Sequence, residues 1–307
     1  MKDLIIIGVG PAGLSASIYT ARYNLDTLLL GEELGGCMNE SYNIENYPGF
    51  SAISGFDLGQ KMKEHSEKLG GKIKQEKVLS IKKVGEGFVV TTSAGEHQAK
   101  RILLATGTVF RKLNILGEDE FAGKGVSYCA TCDGPFFKKK RVAVVGGGNS
   151  ALNAALLLSR YADEVVVFFR AKKPSAIPRY IESAEKKANI VLVPETNLVE
   201  IKGAQKVEKI ILDNKWNESL EHPFDGIFIE IGSQPEDSLF EGLGLELDKF
   251  GFIVVNPDQS TNIEGLFAAG DITTGSNGYR QIITACSEGA IAAATVNDLK
   301  QKEEGSN

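Results

Sequence analysis

The sequence predicts an α/β protein built on two Rossmann-like nucleotide-binding domains, and three observations lead there. A buried strand, a Gly-x-Gly-x-x-Gly turn, a helix, a second buried strand and an acid follow one another between Asp3 and Glu33. The same order, without the closing acid, returns from Val142 to Phe169, with Ala151 at the last glycine position. Each pattern is followed by short runs that read as a β-meander and then by a further buried strand.

Residues 3–7 are an apolar run of strand length. Gly8 allows the tight turn, Gly10 lets the backbone approach a pyrophosphate, and Gly13 lets helix and strand pack closely. Pro11 and Ala12 open a helix to about Tyr23, and its N-terminus turns a positive dipole end towards phosphates. After the strand at 25–30, Glu32 or Glu33 accepts a hydrogen bond from a ribose hydroxyl, and spacing does not choose between them. Glu45-Asn46-Tyr47-Pro48-Gly49-Phe50 is turn-rich, and Ser54 caps a helix over 55–69. Runs at 72–77, 78–84, 88–92 and 98–100 make the first meander, and 101–105 is a buried strand ending at Thr106-Gly107. The pattern loosens over 108–117, where a linker is expected.

The strand at 142–145 leads into Gly146-Gly147-Gly148-Asn149-Ser150-Ala151 and a helix to about Tyr161. A strand at 164–169, a helix over 178–188, a strand at 190–193 and a meander over 197–220 follow, and 226–232 parallels the end of the first segment. The chain then returns. Residues 252–255 and 265–271 read as strands, the second ending in Gly270-Asp271, and ligands bind at the carboxyl ends of strands in such sheets. Tyr279-Arg280-Gln281 precedes an Ala-rich helix over 282–299, and 300–307 is expected to fray.

The chemistry is concentrated in Cys129-Ala130-Thr131-Cys132-Asp133-Gly134. Two cysteines three positions apart can close a small disulfide ring, and in such motifs a thiol pKa falls from ~8.5 towards ~7 or below. Asp133 stands where a carboxyl can carry the proton that each exchange step moves. A zinc site needs four ligands, and Cys37, Cys286 and the three histidines offer no ligand spacing. The 307 residues fit two domains or one large one. A net charge of -6 argues against nucleic acid or an anionic membrane surface as partners. No signal peptide precedes the first strand, and no apolar run reaches the roughly 20 residues of a membrane span. The cytoplasm is the expected compartment, and a cysteine pair there is catalytic rather than structural.

Together these features resemble the low-molecular-weight thioredoxin reductases, over nearly the whole chain. The most specific pieces are the Cys129 to Gly134 hexapeptide, Glu45-Asn46-Tyr47-Pro48-Gly49, and Ala268-Ala269-Gly270-Asp271 followed by Arg280-Gln281. The resemblance implies a homodimeric flavoprotein with two Rossmann-like domains of three-layer ββα type, the second inserted into the first. The FAD domain would be 1–115 with 243–307, and 116–242 an NAD(P)H-binding-like domain carrying the cysteine pair. It implies that Cys132 lies over the flavin ring, that Cys129 attacks the disulfide of thioredoxin and that Asp133 moves the proton. Gly8, Gly10, Pro11, Ala12, Gly13, Glu32 or Glu33, Asn46, Thr106, Gly107, Gly270 and Arg280 fall to the FAD site, with Asp271 on the ribityl chain and Gln281 on the flavin ring. The inserted domain would rotate on hinges at 108–117 and 242–244. In another group of flavin disulfide reductases the redox cysteines lie near Gly35-Gly36-Cys37. A single cysteine there excludes that arrangement and leaves Cys37 as an expected buried small residue.

The electron donor is where this chain departs from the family. NADPH-using members carry His-Arg-Arg after the second strand of the inserted domain and another Arg four positions on. Here Phe169-Arg170-Ala171, with Ser175 at the last site, leave Arg170 alone, and Asn153 stands where the family has Glu. A 2′-phosphate is best held by forked arginines, whereas Lys172 and Lys173 offer point charges. No acid ends the strand at Phe169 to suit NADH. NADPH is therefore expected to be a poor donor and reduced ferredoxin the favoured one, with an ordinary NADPH–thioredoxin reductase as the alternative. Among rivals, a flavin-dependent ferredoxin–NADP oxidoreductase needs no cysteine pair, and the reductase of a peroxide-reducing system usually has an extra N-terminal domain. A redox sensor would not turn over a protein disulfide. The basic run 138–141 reads as a solvated turn rather than a guide for an acidic partner.

Overall fold

The computed structural model describes residues 1–40, 44–128, 130–235 and 239–305, and for Glu40, Thr131, Cys132 and Ser233 it describes the backbone alone. In chain order the elements are β1 (Lys2–Ile7), α1 (Pro11–Arg22), β2 (Thr27–Leu30), α2 (Gly55–Lys68), β3 (Ile73–Lys74), β4 (Val78–Val84), β5 (Gly87–Thr92), β6 (Gly95–Leu104) and β7 (Thr108–Phe110). There follow β8 (Val126–Ser127), α3 (Ala130–Asp133), β9 (Arg141–Val145), α4 (Asn149–Leu158), β10 (Glu164–Phe168), α5 (Pro178–Glu185) and β11 (Ile190–Val193). The rest are β12 (Leu198–Gly203), β13 (Val207–Trp216), β14 (Ser219–Pro223), β15 (Gly226–Ile229), β16 (Ser233–Pro235), β17 (Leu266–Ala268) and α6 (Ile282–Gly305). They form two compact units, Met1–Val109 with Gln234–Asn307, and Phe110–Ser233.

In the first unit a parallel sheet runs β3-β2-β1-β6-β17, with residues 4–7 opposite 27–30 on one side and 101–104 on the other. Alternate side chains of these strands go to opposite faces. Leu4, Ile6, Leu29 and Leu103 pack with α1 and α6, while Ile5, Ile7, Leu30 and Ile102 pack with the meander of β4 and β5. Helices, parallel sheet and meander are the three expected layers. Ser54 accepts the Asp57 N–H at 3.1 Å and starts α2 as its sequence implies.

Four local expectations are corrected. Residues 98–100 and 101–105 read as two strands, but β6 is one strand. Its first half pairs antiparallel with β5 and its second half parallel with β17. A continuous run carries no mark where its partner changes. Residues 73–74, expected in the meander, pair parallel with β2. Residues 252–255 are no strand, since Ile253 makes only single bridges to Leu247 and Thr273, and its apolar signal reflects a fully buried side chain. Finally, α6 does not fray at 300. Lys300 pairs with Asp3 at 2.7 Å, and Glu303 pairs with Lys100 and Arg101, so the polar last turns are tied to β1 and β6.

The second unit repeats the plan. Its parallel sheet runs β11-β10-β9-β15-β8, α4 and α5 cover one face, and the antiparallel β12-β13-β14 covers the other. The stretch expected as a loose linker is ordered within this unit. Leu113 and Asn114 donate their N–H groups to Glu118 at 2.9 and 2.6 Å, and Ile201 donates to the Leu116 carbonyl at 2.9 Å. Phe240 is buried in the core of the first unit. The divisions thus fall after Val109 and after Ser233, a few residues ahead of the boundaries drawn at 115/116 and 242/243.

A Cβ on Gly289 of α6 would lie 2.1 Å from the Ala12 carbonyl oxygen of α1. Gly289→Ala is expected to destabilise the first unit by about 1–3 kcal/mol, seen as a lower thermal midpoint. Gly305→Ala, where open space surrounds the Cβ position, should leave the midpoint unchanged.

Candidate active site

Backbone hydrogen bonds align the carboxyl ends of four adjacent strands. Gly8 N–H donates to the Leu30 carbonyl at 2.8 Å, Ala105 to Ile7 at 2.7 Å and Ala269 to Leu104 at 2.9 Å. The Gly8 to Gly13 turn, Glu32 with Glu33, Thr106 with Gly107, and Gly270 with Asp271 therefore leave the sheet on one edge, where such sheets bind ligands.

The glycines divide by role. Gly8 has φ +114°, and a Cβ there would lie 2.2 Å from the Ala105 carbonyl; a Cβ on Gly13 would lie 1.8 Å from the Gly8 carbonyl. These two are demanded by the close crossing of strand and helix. At Gly10 the nearest atom to a Cβ is 3.9 Å away, so a side chain would fill open space in front of α1 rather than strike the protein. Thr106 Oγ1 and Asn39 Oδ1 are buried and accept no hydrogen bond from the described residues. A buried polar atom without a protein partner calls for a water, an ion or a ligand, and at this edge of the sheet a ligand can supply the partner. Asn39, held by its Nδ2 to the Leu34 carbonyl at 2.6 Å, is absent from the sequence reading, since a loop asparagine has no pattern around it. Glu32 pairs with Lys77 at 3.3 Å, and Glu33 is exposed beside it.

The returning segment closes the site. Arg280 Nε donates to the Asp271 carbonyl at 3.1 Å, and its guanidinium lies 3.6 Å from the Phe252 ring centroid. Asn46 Nδ2 donates to Gln281 Oε1 at 2.9 Å. Asn46 is thereby brought to the segment of Asp271, Arg280 and Gln281, 235 residues away along the chain at Gln281. Sequence reasoning missed the group that shapes this turn. Glu288, buried on α6, accepts from Gly270 N–H at 2.8 Å, Thr273 Oγ1 at 3.0 Å and Ser276 Oγ at 2.6 Å. Its only signal is an acid inside an Ala-rich helix. Burial pushes the Asp271 carboxyl up to about 6; the Arg280 charge opposes the shift and the Glu288 charge adds to it.

Cys286 is buried, with Tyr47 Oη 3.8 Å from its sulfur, and burial pushes its thiol up to about 11. Cys37 is exposed, not buried as expected, because the short helix Gly36–Glu40 turns it outward; its thiol donates to the Thr108 carbonyl at 3.3 Å.

In the second unit Cys129 lies outside the described residues. The backbone of Cys132 belongs to α3, and Asp133 ends that helix half-buried. The second glycine turn is engaged by its own chain. Ser175 and Ala176 donate to the Gly147 carbonyl at 2.8 and 3.1 Å, and Ile177 N–H donates to Asn149 Oδ1 at 2.9 Å. Arg170, Lys172 and Lys173 are exposed, and Phe169 packs against Gly147.

A disulfide motif beside a doubled nucleotide fold defines a class. The chain matches the model of the pyridine nucleotide-disulphide oxidoreductases over residues 2–289 and belongs to that family. Within it the chain falls among the low-molecular-weight thioredoxin reductases. A thioredoxin reductase from Treponema pallidum is 42% identical over 294 residues, 95% of this chain and 94% of that one. The Lactococcus lactis thioredoxin reductase structure has a TM-score of 0.92 at 39% identity, covering 97% of this chain and 98% of that one. A ferredoxin-flavin thioredoxin reductase from Clostridium acetobutylicum has a TM-score of 0.53 at 34% identity, covering 98% of each. The cofactor of the family is FAD, and Gly10, Thr106 and Asn39 offer this chain's fit to it. No helix among the described residues is long and apolar enough to cross a membrane.

The raised Asp271 carboxyl has a stability consequence. The unfolded group ionises near 3.8. Between that value and about 6 the folded chain keeps a proton that the unfolded chain has lost, so stability falls as pH rises through this window. In flavin-free protein, Asp271→Asn is expected to stabilise by up to about 2–3 kcal/mol at pH 7. The gain should vanish near pH 4 in denaturant titrations. The same variant should retain FAD more weakly.

Proposed function

We propose that this protein is a flavin-dependent thioredoxin reductase that takes its electrons from reduced ferredoxin. FAD, held by the Gly8 to Gly13 turn and the Gly270-Asp271 end, supplies a carrier that accepts electrons singly and yields them in pairs. The Cys129/Cys132 disulfide opens on reduction. The Cys129 thiolate then attacks the partner disulfide, Cys132 resolves the mixed disulfide, and Asp133 carries the proton. Thioredoxin is the acceptor, and a homodimer in the cytoplasm is the expected setting.

The observation that carries the choice of donor is the segment after β10, where one forked cation, Arg170, stands exposed and a 2′-phosphate needs several. The ferredoxin-flavin relative adds weight. NADPH as donor is the second reading, favoured by the retained Gly146 to Ala151 turn.

Anaerobic mixing of the oxidised FAD-loaded protein with NADPH, NADH or reduced ferredoxin decides the donor. Rapid flavin bleaching by ferredoxin alone is expected, and stoichiometric bleaching by micromolar NADPH would overturn the reading. Cys129→Ser and Cys132→Ser should each keep FAD and lose thioredoxin reduction. Full activity in both would remove the pair as the redox centre.

A further inference from the structure

The segment at 252–255 has the apolar content of a strand without the pairing of one, and its place in the first unit gives it another use. Ile253 N–H donates to the Ile272 carbonyl at 3.0 Å, Thr274 N–H donates back to the Ile253 carbonyl at 2.9 Å, and Val255 N–H donates to Thr274 Oγ1 at 3.4 Å. The segment therefore lies along 272–274, the residues that follow Asp271. Just ahead of it, Asp248 closes a loop. Its Oδ1 accepts from the Phe250 and Phe252 N–H groups at 2.8 and 3.0 Å, and its own N–H donates to the Phe252 carbonyl at 2.8 Å. Phe252 is thus fixed at both of its backbone groups, and its side chain is buried.

The ring meets Arg280. The guanidinium Cζ lies 3.6 Å from the ring centroid, well inside the range of a cation–π contact. Arg280 Nε donates to the Asp271 carbonyl at 3.1 Å. One edge of the guanidinium is therefore used by the backbone and one face by Phe252. Among the described residues neither Nη1 nor Nη2 makes a hydrogen bond or an ion pair, and the residue is half-buried. The arginine side chain has many rotamers, so pointing its fork in one direction needs contacts on the plane as well as on one edge.

We propose that Phe252 is a positioning residue of the FAD site, its ring holding the Arg280 guanidinium flat and in one direction so that the two unused amino groups are ready to donate to oxygens of the cofactor. The inference rests on Arg280 belonging to the FAD site. A planar fork recognises oxygen acceptors through parallel hydrogen bonds, and a fork fixed beforehand loses less freedom on binding than a mobile one. A lysine could not be held in this way, because its charge is a point without a plane. Phe252 acts through Arg280 alone. The buried loop at 248–252 and the bridges of Ile253 then serve to keep the ring in place beneath the cation.

The test is titration of the flavin-free protein with FAD, followed by flavin fluorescence, after the thermal midpoint of each variant has been measured. Phe252→Leu keeps an apolar side chain and removes the aromatic face, and is expected to weaken FAD binding about tenfold. Phe252→Tyr keeps the face and should bind within about twofold of wild type. In the Arg280→Gln background Phe252→Leu should cost nothing further, because the group through which it acts is gone. No loss in Phe252→Leu, losses that add in the double variant, or equal losses for Phe252→Leu and Phe252→Tyr would overturn the inference and leave Phe252 a packing residue. If Phe252→Leu does not fold, Arg280→Lys decides, since it keeps the charge and loses the plane and fork. A loss as large as that of Arg280→Gln is expected, and full affinity would overturn the inference. If Arg280→Gln itself binds FAD as wild type does, the assignment of Arg280 to the FAD site fails, and this inference with it.

Discussion

Helix α6 can lie on α1 only because Gly289 carries no side chain, and the nucleotide edge of the first unit depends on that contact. A Cβ there would meet the Ala12 carbonyl at 2.1 Å, and a Cβ on Gly270 would meet the Ala12 methyl at 2.9 Å. Ala12 is thus enclosed by glycine on both sides. Ser15 adds a hydrogen bond from α1 to the Cys286 carbonyl of α6 at 2.7 Å. With α6 seated this closely, Glu288, one residue before Gly289, comes within reach of the Gly270 N–H and the hydroxyls of Thr273 and Ser276. The turn that presents Asp271 is therefore set by a helix contact rather than by the strand it follows.

This dependence explains which parts of the site were legible in the sequence. Gly8, Gly10 and Gly13 sit in a local pattern whose spacing has a steric reason, and Gly270-Asp271 ends a recognisable strand. Glu288 and Asn39 have no such pattern. One is an acid in an Ala-rich helix and the other a polar residue in a loop, and each acquires its role only when distant segments meet. The same distinction holds for the fold. The alternation of Ile5 and Ile7 against Leu4 and Ile6 is readable from the sequence, because each strand has two buried faces. The change of partner halfway along β6 is not, because both halves are equally apolar. The polar last turns of α6 read as a frayed tail because the ion pairs that hold them, Lys300 with Asp3 and Glu303 with Arg101, reach strands distant in sequence.

Writing one fold twice separates what the fold requires from what chemistry requires. The first glycine of each turn carries the same constraint, φ +114° at Gly8 and +138° at Gly146, with a strand-end carbonyl at 2.2 Å from the Cβ position. Packing therefore explains Gly146 as it explains Gly8, whereas Gly148, like Gly10, has no atom nearer than 3.9 Å to its Cβ position. The surroundings that packing leaves free have diverged. In both turns the loop after the second strand donates to the middle carbonyl, Gly35 N–H to Val9 at 2.9 Å and Ser175 N–H to Gly147 at 2.8 Å. Only the first is flanked by the acids Glu32 and Glu33, whereas Arg170 and Ala171 follow the second.

The buried acids follow the same division between fold and chemistry. A carboxyl shut away from water is costly unless something offsets it. Glu288 of the first unit and Glu118 of the second are both buried, and hydrogen bonds offset each. Glu288 accepts from the Gly270 N–H, Thr273 and Ser276, and Glu118 accepts from the backbone at 113 and 114 and from the Tyr128 hydroxyl. Each acid holds a loop of its own unit, so its partners lie within the fold. Asp271 differs. It stands partly enclosed at the end of β17, beside Arg280, and burial pushes its carboxyl up to about 6, whereas surface acids paired with lysine are shifted the other way. An acid whose partners lie inside the chain serves the fold, and an acid left at the carboxyl edge of the sheet is free to serve a ligand.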